Sequence, residues 1–181
     1  FGAEIYVSSL VAVSMTRIMG AIMTGIIIAG RTGASYAAVI GTMQVNEEID
    51  ALTTLGVAPS DYLIMPRILA LTAMTPLLVL YSDFMGIMGG FIVGAGILGL
   101  DPMEYYTFTQ KGFNINNLWV GMTHGAVYGM LIAITGCYQG LRCGRNAEAV
   151  GKATTSAVVY SIVGIVLSTA VLTILFNILN I

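Results

Sequence analysis

Residues 68–100 read ILALTAMTPLLVLYSDFMGIMGGFIVGAGILGL and contain one charged residue, Asp83. As a helix rising ~1.5 Å per residue this stretch is about 50 Å long, more than the ~30 Å hydrocarbon core of a bilayer. Backbone polar groups find no water in that core, so only helices and closed barrels cross it. The stretch therefore predicts a membrane-spanning helix that tilts, kinks at Pro76 or at Gly89-Gly90, or continues past the membrane surface.

Three further apolar stretches lie outward from this one, at about 5–30 (interrupted only by Arg17), 118–140 and 153–181. Hydrophobic residues make up 57% of the chain and charged residues 9%, against roughly 25% charged in soluble domains. This composition excludes a soluble enzyme and a disordered tail, and the net charge of −2 offers no basic patch for nucleic acid. We expect an all-α polytopic membrane protein, a helical bundle with four apolar spans in a single domain over residues 1–181.

Neither the start of the chain nor its cysteines indicate a secreted or metal-binding protein. The chain begins at Phe1 with no basic segment before its first apolar stretch, so we interpret it as N-terminally truncated and not as starting with a signal peptide. Cys137, Cys143 and the single histidine, His124, have no metal-ligand or redox spacing. We expect two reduced thiols and no metal site.

Basic residues predict the orientation of the spans. Five of the seven lie in or beside the first and third connections between spans: Arg31, Arg67, Arg142, Arg145 and Lys152. The middle connection, at about 101–117, has Lys111 as its one basic residue. By the positive-inside rule the first and third connections are cytoplasmic, and the C-terminus faces outward.

Small residues recur every four positions on three of the spans. They are Gly25, Ala29, Gly33, Ala37 and Gly41 on the first, Gly86, Gly90 and Gly94 on the second, and Gly121, Gly125, Gly129 and Ala133 on the third. This spacing lets helix backbones approach closely, although glycine is common in membrane helices in general. We expect a compact bundle with a self-association face, whose packing positions include Gly25, Gly33, Gly86, Gly90, Gly125 and Gly129.

A short amphipathic helix is predicted at about 45–56, between the first two spans. Val45, Ile49 and Leu52 fall on one face, whereas Glu47 and Asp50 face the other way. The helix is expected to end near residue 56, before a turn signal at 58–61. The residues themselves are compatible with a solvated surface helix or with a docking element for a soluble partner.

Short motifs in a consistent order cover about residues 14–176. They are AGRTG (29–33), GTM (41–43), EIDAL (48–52), GVAP (56–59), PR (66–67), DFMG (83–86) with GG (89–90), CYQG (137–140), and AE (147–148) with VGKATT (150–155). This series strongly resembles the MlaE-type permeases, the membrane subunits of ABC transporters that maintain the lipid asymmetry of the outer membrane.

The resemblance implies a phospholipid permease of the bacterial (Gram-negative) inner membrane, in which two copies enclose a lipid cavity. The implied partners are a cytoplasmic ABC ATPase (MlaF-like), a periplasmic MCE-domain carrier (MlaD-like) and a small STAS-domain subunit (MlaB-like). In that family the acidic segment between the spans is the coupling helix, which assigns Glu47, Glu48, Asp50 and Leu52 to the ATPase contact. The sequence has no G-x-x-x-x-G-K-[ST] loop, so ATP and Mg are expected in the partner ATPase, with no cofactor and no catalytic residue here.

The family's Arg-Glu-Leu-Gly run, near the lipid cavity, corresponds here to Arg17-Ile18-Met19-Gly20. An arginine at the centre of a span costs about 2.5–3.5 kcal/mol on insertion scales. Arg17 is therefore expected to face a partner, a wet cavity or a lipid phosphate, unless it snorkels to the surface. Arg17, Ile18, Met19 and Asp83 are the lipid-path candidates, and Asp83 is equally explained as a structural group satisfied by a neighbouring helix.

Three intramembrane charges typical of the family are replaced in this chain. Glutamate, lysine and aspartate of the family pattern appear as Ile18, His124 and Ser168. Removing one partner of a buried pair is expensive whereas removing both is not, so we hypothesise that the charges were lost together. His124 itself is interpreted as a packed or hydrogen-bonded histidine.

Aromatic residues cluster around the outward connection: Tyr105, Tyr106, Phe108 and Trp119. They predict an interfacial aromatic belt, or alternatively a contact with a periplasmic partner. Asp101-Pro102 predicts a helix N-cap followed by proline at the first helical position.

Two other function classes use the same polar residues. A secondary transporter or channel would use Arg17 and Asp83 as ion or substrate groups, but the sequence shows no internal repeat of the kind usual in that class. An intramembrane enzyme would use Asp83, His124 and a cysteine or serine, but no G-x-S-x-G nucleophile motif occurs.

Overall fold

The computed structural model describes residues 6–179, which form six helices joined by short connections. They are α1 (Tyr6–Val45), α2 (Glu48–Thr54), α3 (Ser60–Gly96), α4 (Pro102–Gly112), α5 (Ile115–Leu141) and α6 (Ala147–Ile178). No strand occurs within residues 6–179, and α1, α3, α5 and α6 are each long and apolar enough to cross a membrane. The predicted all-α fold with four apolar spans is confirmed.

Helix α1 extends well beyond its predicted end. The apolar stretch was expected to stop near residue 30, with Arg31 and Arg67 bracketing a connection, but α1 continues to Val45 and α3 already begins at Ser60. Both arginines therefore lie inside helices, and that prediction is wrong. Residues 31–45 contain no proline, and their alanines and glycines pack in the core, so tertiary packing maintains a helix that their hydropathy does not indicate.

Residues 68–96 of the long apolar stretch belong to one helix and not to two. Met65–Gly96 is continuous, with Pro76 inside it. Proline is tolerated in membrane helices because neighbouring groups re-satisfy the backbone carbonyl that it frees. The helix ends before Gly99, whose φ of +67° is a left-handed conformation that glycine adopts without strain.

Three turns of the long helices are π-helical: Met15–Met19 and Ala29–Gly33 in α1, and Ser60–Ile64 at the start of α3. A π-helical turn is wider than an α-helical one and is frequent at functional positions. Arg17 and Arg31 each lie at the centre of one of these turns.

The chain forms two compact units. The first comprises the described parts of Phe1–Thr24, Pro76–Gly125 and Leu172–Ile181, and the second comprises Gly25–Thr75 and Ala126–Val171. Arg17, Asp83 and α4 belong to the first unit, whereas α2 and the connection between α5 and α6 belong to the second.

In the first unit, α4 packs against the start of α1 and the glycine-rich end of α3. The Asp101 carboxylate accepts a hydrogen bond from the Met103 backbone N–H at 3.1 Å, so the predicted N-cap is confirmed. Tyr105 is buried against Gly94, which has no Cβ to exclude its ring. The aromatic-belt prediction is therefore wrong for Tyr105, whereas Tyr106 and Trp119 are exposed.

In the second unit, α1, α5 and α6 approach one another closely. A Cβ on Gly136 would lie 2.8 Å from the carbonyl oxygen of Gly33, so α5 contacts the α1 backbone directly. Thr135 and Ser161 share a hydrogen bond of 2.6 Å between α5 and α6. Small residues and hydroxyl pairs of this kind stabilise contacts between helices in a membrane, where lipid provides no hydrophobic driving force for helix association.

Candidate functional site

Arg17 lies in the first unit and is half-buried. Its Nη1 donates a hydrogen bond to Oδ1 of Asn117, near the start of α5, at 2.9 Å. A guanidinium among apolar helices needs acceptors, and an amide oxygen supplies one without neutralising its charge. Asn117, which the sequence analysis did not single out, therefore orients the Arg17 side chain. The sequence signal for it is weak, because Asn114, Asn116 and Asn117 lie close together.

The π-helical turn that holds Arg17 is packed on both sides. Gly121 of α5 lies so close to the Thr16 carbonyl oxygen that a Cβ at this position would overlap it. The Thr16 hydroxyl donates back to the Ala12 carbonyl at 2.8 Å. The backbone around Arg17 is therefore fixed by direct contact with α5.

Asp83, on α3, lies against Gly20, the residue directly after the same turn. Its side chain is 3% exposed, and neither carboxyl oxygen has a hydrogen-bond partner among the described residues. The carboxyl group occupies the space where Gly20 lacks a Cβ, directly after the turn that contains Arg17. A buried carboxyl group without a partner is costly. No described neighbour hydrogen-bonds to the Asp83 carboxyl group, and its two interpretations, lipid-path residue and structural group, stay predictions.

The other candidates from the sequence differ in exposure. Ile18 is half-buried and Met19 is 44% exposed. His124 is fully buried, its Nδ1–H donates to the Val120 carbonyl at 2.8 Å, and its ring faces Phe176. His124 is thus the packed, hydrogen-bonded histidine that was predicted.

Ser168 makes a local hydrogen bond, from its hydroxyl to the Ile165 carbonyl at 3.0 Å. The joint loss of charges at Ile18, His124 and Ser168 stays a prediction.

The acidic helix α2 lies in the second unit. It starts after Glu47, whose φ of 61° turns the chain sharply, and it ends before Gly56, whose φ is 77°. Ile49 is buried against Ile40 of α1 and Cys137 of α5. The apolar face of α2 therefore packs on its own bundle instead of facing outward.

The carboxylates of α2 lie on its exposed side. Asp50 accepts a hydrogen bond from Arg145 at 2.7 Å, and Glu47 lies 3.9 Å from the same guanidinium. Glu48 accepts a hydrogen bond from the Asn46 amide at 3.2 Å and is exposed. The structure thus brings Glu47 and Asp50 together around Arg145, which the sequence analysis had used only as an indicator of orientation.

Apolar residues on the exposed side of α2 differ from the predicted set. Leu52 is half-buried, whereas Leu55, at the C-terminal end of the helix, is 77% exposed. Sequence reasoning missed Leu55 because it lies off the i, i+4, i+7 pattern of Val45, Ile49 and Leu52.

All six predicted packing glycines lie against other parts of the same chain. Gly25 lies against Tyr128 and Ile165, Gly33 against Ile132, Gly86 against Met15, Gly90 against Val11 and Tyr105, Gly125 against Val79 and Pro76, and Gly129 against Thr75 and Leu71. Gly136 and Gly140 were missed, although they continue Gly129 and Ala133 at spacings of three and four. These glycines therefore pack within the chain, and the expected self-association face stays a prediction.

The described residues thus define a multi-pass membrane protein with a short acidic surface helix and an arginine–asparagine pair among apolar helices. The sequence matches the Permease MlaE family over residues 1–175. It is 42% identical over 173 residues to a probable ABC transporter permease protein of Rickettsia typhi, a match that covers 96% of this chain and 67% of the relative. The chain belongs to the MlaE permease family, whose members are ABC transporter permeases.

Two relatives of lower identity come from other organisms. A probable ABC transporter permease protein of Synechocystis is 36% identical over 168 residues, covering 93% of this chain and 64% of the relative. The Arabidopsis thaliana protein trigalactosyldiacylglycerol 1, chloroplastic, is 32% identical over 170 residues, covering 94% of this chain and 49% of the relative. The chain thus spans about two thirds of its bacterial relatives and about half of the plant relative.

Proposed function

We propose that this chain is the permease subunit of an ABC transporter that moves phospholipid between the inner membrane and a periplasmic MCE-type carrier. The observation that carries the proposal is membership of the MlaE permease family together with an exposed acidic helix between the first two spans. The plant relative is named after a diacylglycerol lipid, which supports a lipid as the transported molecule. Family membership favours this function over a secondary transporter that binds ions at Arg17 and Asp83.

Helix α2 is suited to couple a partner ATPase to the spans. Its buried residue, Ile49, packs on Ile40 and Cys137, so a displacement of α2 is transmitted to α1 and α5. Its exposed residues Glu48 and Leu55 offer a charge and an apolar anchor to a groove on the ATPase. ATP can shift the equilibrium between conformational states of the permease only if the ATPase contacts these states differently. Helix α2 provides that contact.

Charge distribution supports a cytoplasmic location for α2. The Asp50–Arg145 contact joins α2 to the connection between α5 and α6, so both lie on the same side of the membrane. Arg142, Arg145 and Lys152 concentrate positive charge there, which is typical of the cytoplasmic side. The C-terminus, one span later, then faces the periplasm.

Arg17 is the residue proposed to hold the lipid phosphate. A guanidinium binds phosphate through charge-assisted hydrogen bonds, and the Asn117 amide oxygen that accepts from Arg17 helps to orient it. A second copy of the chain would complete the lipid cavity. MCE-domain and STAS-domain subunits would assemble around this dimer on the periplasmic and cytoplasmic sides, respectively.

Co-purification with the ATPase tests the proposal. We would compare the membrane-extracted complex of the wild type with a variant carrying Glu47→Lys, Glu48→Lys and Asp50→Lys, with Glu104→Lys on α4 as a charge-reversal control. We expect the ATPase to co-purify with the wild type and the control and to be lost from the triple variant. Retention of the ATPase by the triple variant would exclude these carboxylates as the docking residues. Absence of any ATPase from the wild type would overturn the proposed function.

A further inference from the structure

We propose that Arg67 is a positioning residue that couples helix α3 to helix α2 through its stacking contact with Tyr36. A displacement of α2 by the ATPase is then transmitted to α3 as well as to α1 and α5. The inference rests on the proposed function and names the side chains through which the ATPase would act on α3.

Residues beneath α2 come from three of the long helices. Ile49 of α2 is buried together with Ile40 of α1 and Cys137 of α5. Partly buried residues of α1, α3 and α5 pack against these three residues: Tyr36, Met43, Leu63, Ile64 and Leu141. The buried side of α2 therefore lies at a junction of α1, α3 and α5, and all of these residues belong to the second unit.

Arg67 extends this junction by one turn along α3. Its guanidinium carbon lies 5.5 Å from the centre of the Tyr36 ring, within the ~6 Å of a cation–π contact. Residues four apart on a helix lie on the same face, so Arg67 and Leu63 both contact the junction. Helix α3 is therefore held against α1 by an apolar contact and by a charged contact in successive turns.

The stack between Arg67 and Tyr36 is only marginally favourable. Nη1 of Arg67 is buried and has no hydrogen-bond partner within residues 6–179. A cation–π contact stabilises a desolvated guanidinium, whereas a buried donor without an acceptor is destabilising by a similar amount. Because these two effects offset each other, the stack positions α3 without locking it. Such a contact is suited to change during a transport cycle.

The backbone at the start of α3 is irregular at the same place. Ser60–Ile64 forms a π-helical turn, and mid-helix turns of this kind are frequent at functional positions. Leu63 lies in this turn and contacts the junction, and Arg67 follows it by four residues. A displacement of Ile49 therefore acts on α3 next to a turn whose hydrogen bonding differs from that of the regular helix.

The coupling of ATP hydrolysis to lipid transfer tests this role of Arg67. The full-length permease with its partner subunits would be reconstituted in vesicles that contain fluorescent phosphatidylglycerol. The quantity measured is the amount of this lipid transferred per ATP hydrolysed, together with the ATP hydrolysis rate and ATPase co-purification. The variants are Arg67→Met, Tyr36→Leu, their combination, and Tyr36→Phe, which keeps the face of the ring.

Arg142→Met is the matched control. The Arg142 guanidinium also stacks on a tyrosine, at 5.4 Å from the Tyr138 ring, but both side chains are exposed. This variant removes a contact of the same chemistry that does not hold α3, so we expect its lipid transfer per ATP to equal that of the wild type.

We expect Arg67→Met and Tyr36→Leu each to lower lipid transfer per ATP about tenfold, within the usual range of coupling between sites. ATPase co-purification and ATP hydrolysis should stay as in the wild type, and Tyr36→Phe should retain coupling. The combined variant should be no worse than either single variant, because both remove the same contact.

Three results would overturn the inference alone. They are loss of ATPase co-purification in step with lipid transfer, equal defects in Tyr36→Phe and Tyr36→Leu, and the same defect in Arg142→Met. A wild-type complex that hydrolyses ATP without transferring any phospholipid would overturn the proposed function, and the inference with it.

Discussion

The guanidinium of Arg145 donates a hydrogen bond to the carboxylate of Asp50 at 2.7 Å and thereby joins the connection between α5 and α6 to helix α2. Both side chains are about half exposed, at 60% and 48%. Exposed ion pairs contribute roughly 0–1 kcal/mol, so this contact adds little to global stability. Its consequence is geometric, because it fixes the orientation of a seven-residue helix that is otherwise anchored through Ile49.

The first prediction concerns this ion pair. Arg145→Asp is expected to lower ATPase co-purification about two- to fivefold, since the loss of up to ~1 kcal/mol of orienting energy lets α2 rotate. The exchanged variant, Asp50→Arg with Arg145→Asp, restores the ion pair but removes the Asp50 carboxylate from the docking surface, so it should recover only part of the loss. Retention of the ATPase, measured at matched permease concentration, is the readout. An exchanged variant that binds no better than Arg145→Asp would contradict a role of this ion pair in orienting α2 for the ATPase.

Leu55 is predicted to be an anchor for the ATPase. Leu55→Ser is expected to weaken ATPase binding by about 1–2 kcal/mol, because a largely exposed leucine gains its stabilisation only when a partner buries it. The melting temperature of the permease alone should not change. Leu98→Ser, in the connection between α3 and α4, is the matched control and should leave binding intact. Equal weakening by both variants would contradict an anchor at Leu55.

The sequence predicts the spans well because apolar composition directly reflects the solvent around them. Residues 68–100 illustrate this, since a stretch of more than twenty predominantly apolar residues is compatible with few other structures. Residues 31–45 illustrate the limit. Arg31, Ser35 and Gln44 give that segment the composition of a connection, yet its glycines and alanines face α5 and α6 and continue the helix. Close packing between distant segments decides this, and hydropathy does not report it.

The candidate site was predictable only in part, for the same reason. Arg17 is a candidate because an arginine inside a span has a high insertion free energy and because its motif resembles that of the family. Both signals can be read along the chain. Asn117 is 100 residues away from Arg17, and Arg145 is 95 residues away from Asp50. Polar pairs at such separations have no local signal, so one sequence does not indicate which residue meets which.

Close packing between α1 and α5 gives a stability prediction. Gly136→Ala is expected to lower the free energy of unfolding by about 1–3 kcal/mol, because its methyl group would lie 2.8 Å from the Gly33 carbonyl oxygen, which belongs to a rigid backbone. Gly89→Ala, where nothing lies within 4 Å, is the control and should be neutral or slightly stabilising. Unfolding of the detergent-solubilised protein by denaturant measures both. Similar stability of the two variants would contradict the close approach.

A pH dependence follows from Tyr105, which lies outside the spans. Burial raises the pKa of the Tyr105 hydroxyl above its ordinary value of 10.0. Above about pH 10 the unfolded chain therefore loses this proton before the folded chain does, and folding stability falls as the pH rises. Between about pH 8 and about pH 10.5, we expect the melting temperature of Tyr105→Phe to fall less than that of the wild type. Tyr106→Phe, whose side chain is 61% exposed, should behave like the wild type.

The last prediction tests whether the intramembrane charges of the family were lost together. Ile18→Glu places a carboxylate at a half-buried position of α1, at a cost of about 2.5–3.5 kcal/mol near a helix centre. Addition of His124→Lys, on α5 of the same unit, is expected to recover much of this cost, since a buried charge is tolerated when it is paired. Met19→Glu, at the neighbouring and more exposed position, should gain nothing from the lysine. Thermal stability of the purified variants measures each effect. If Ile18→Glu were as harmless alone as with its lysine partner, the positions would be independent and the charges would have been lost one by one.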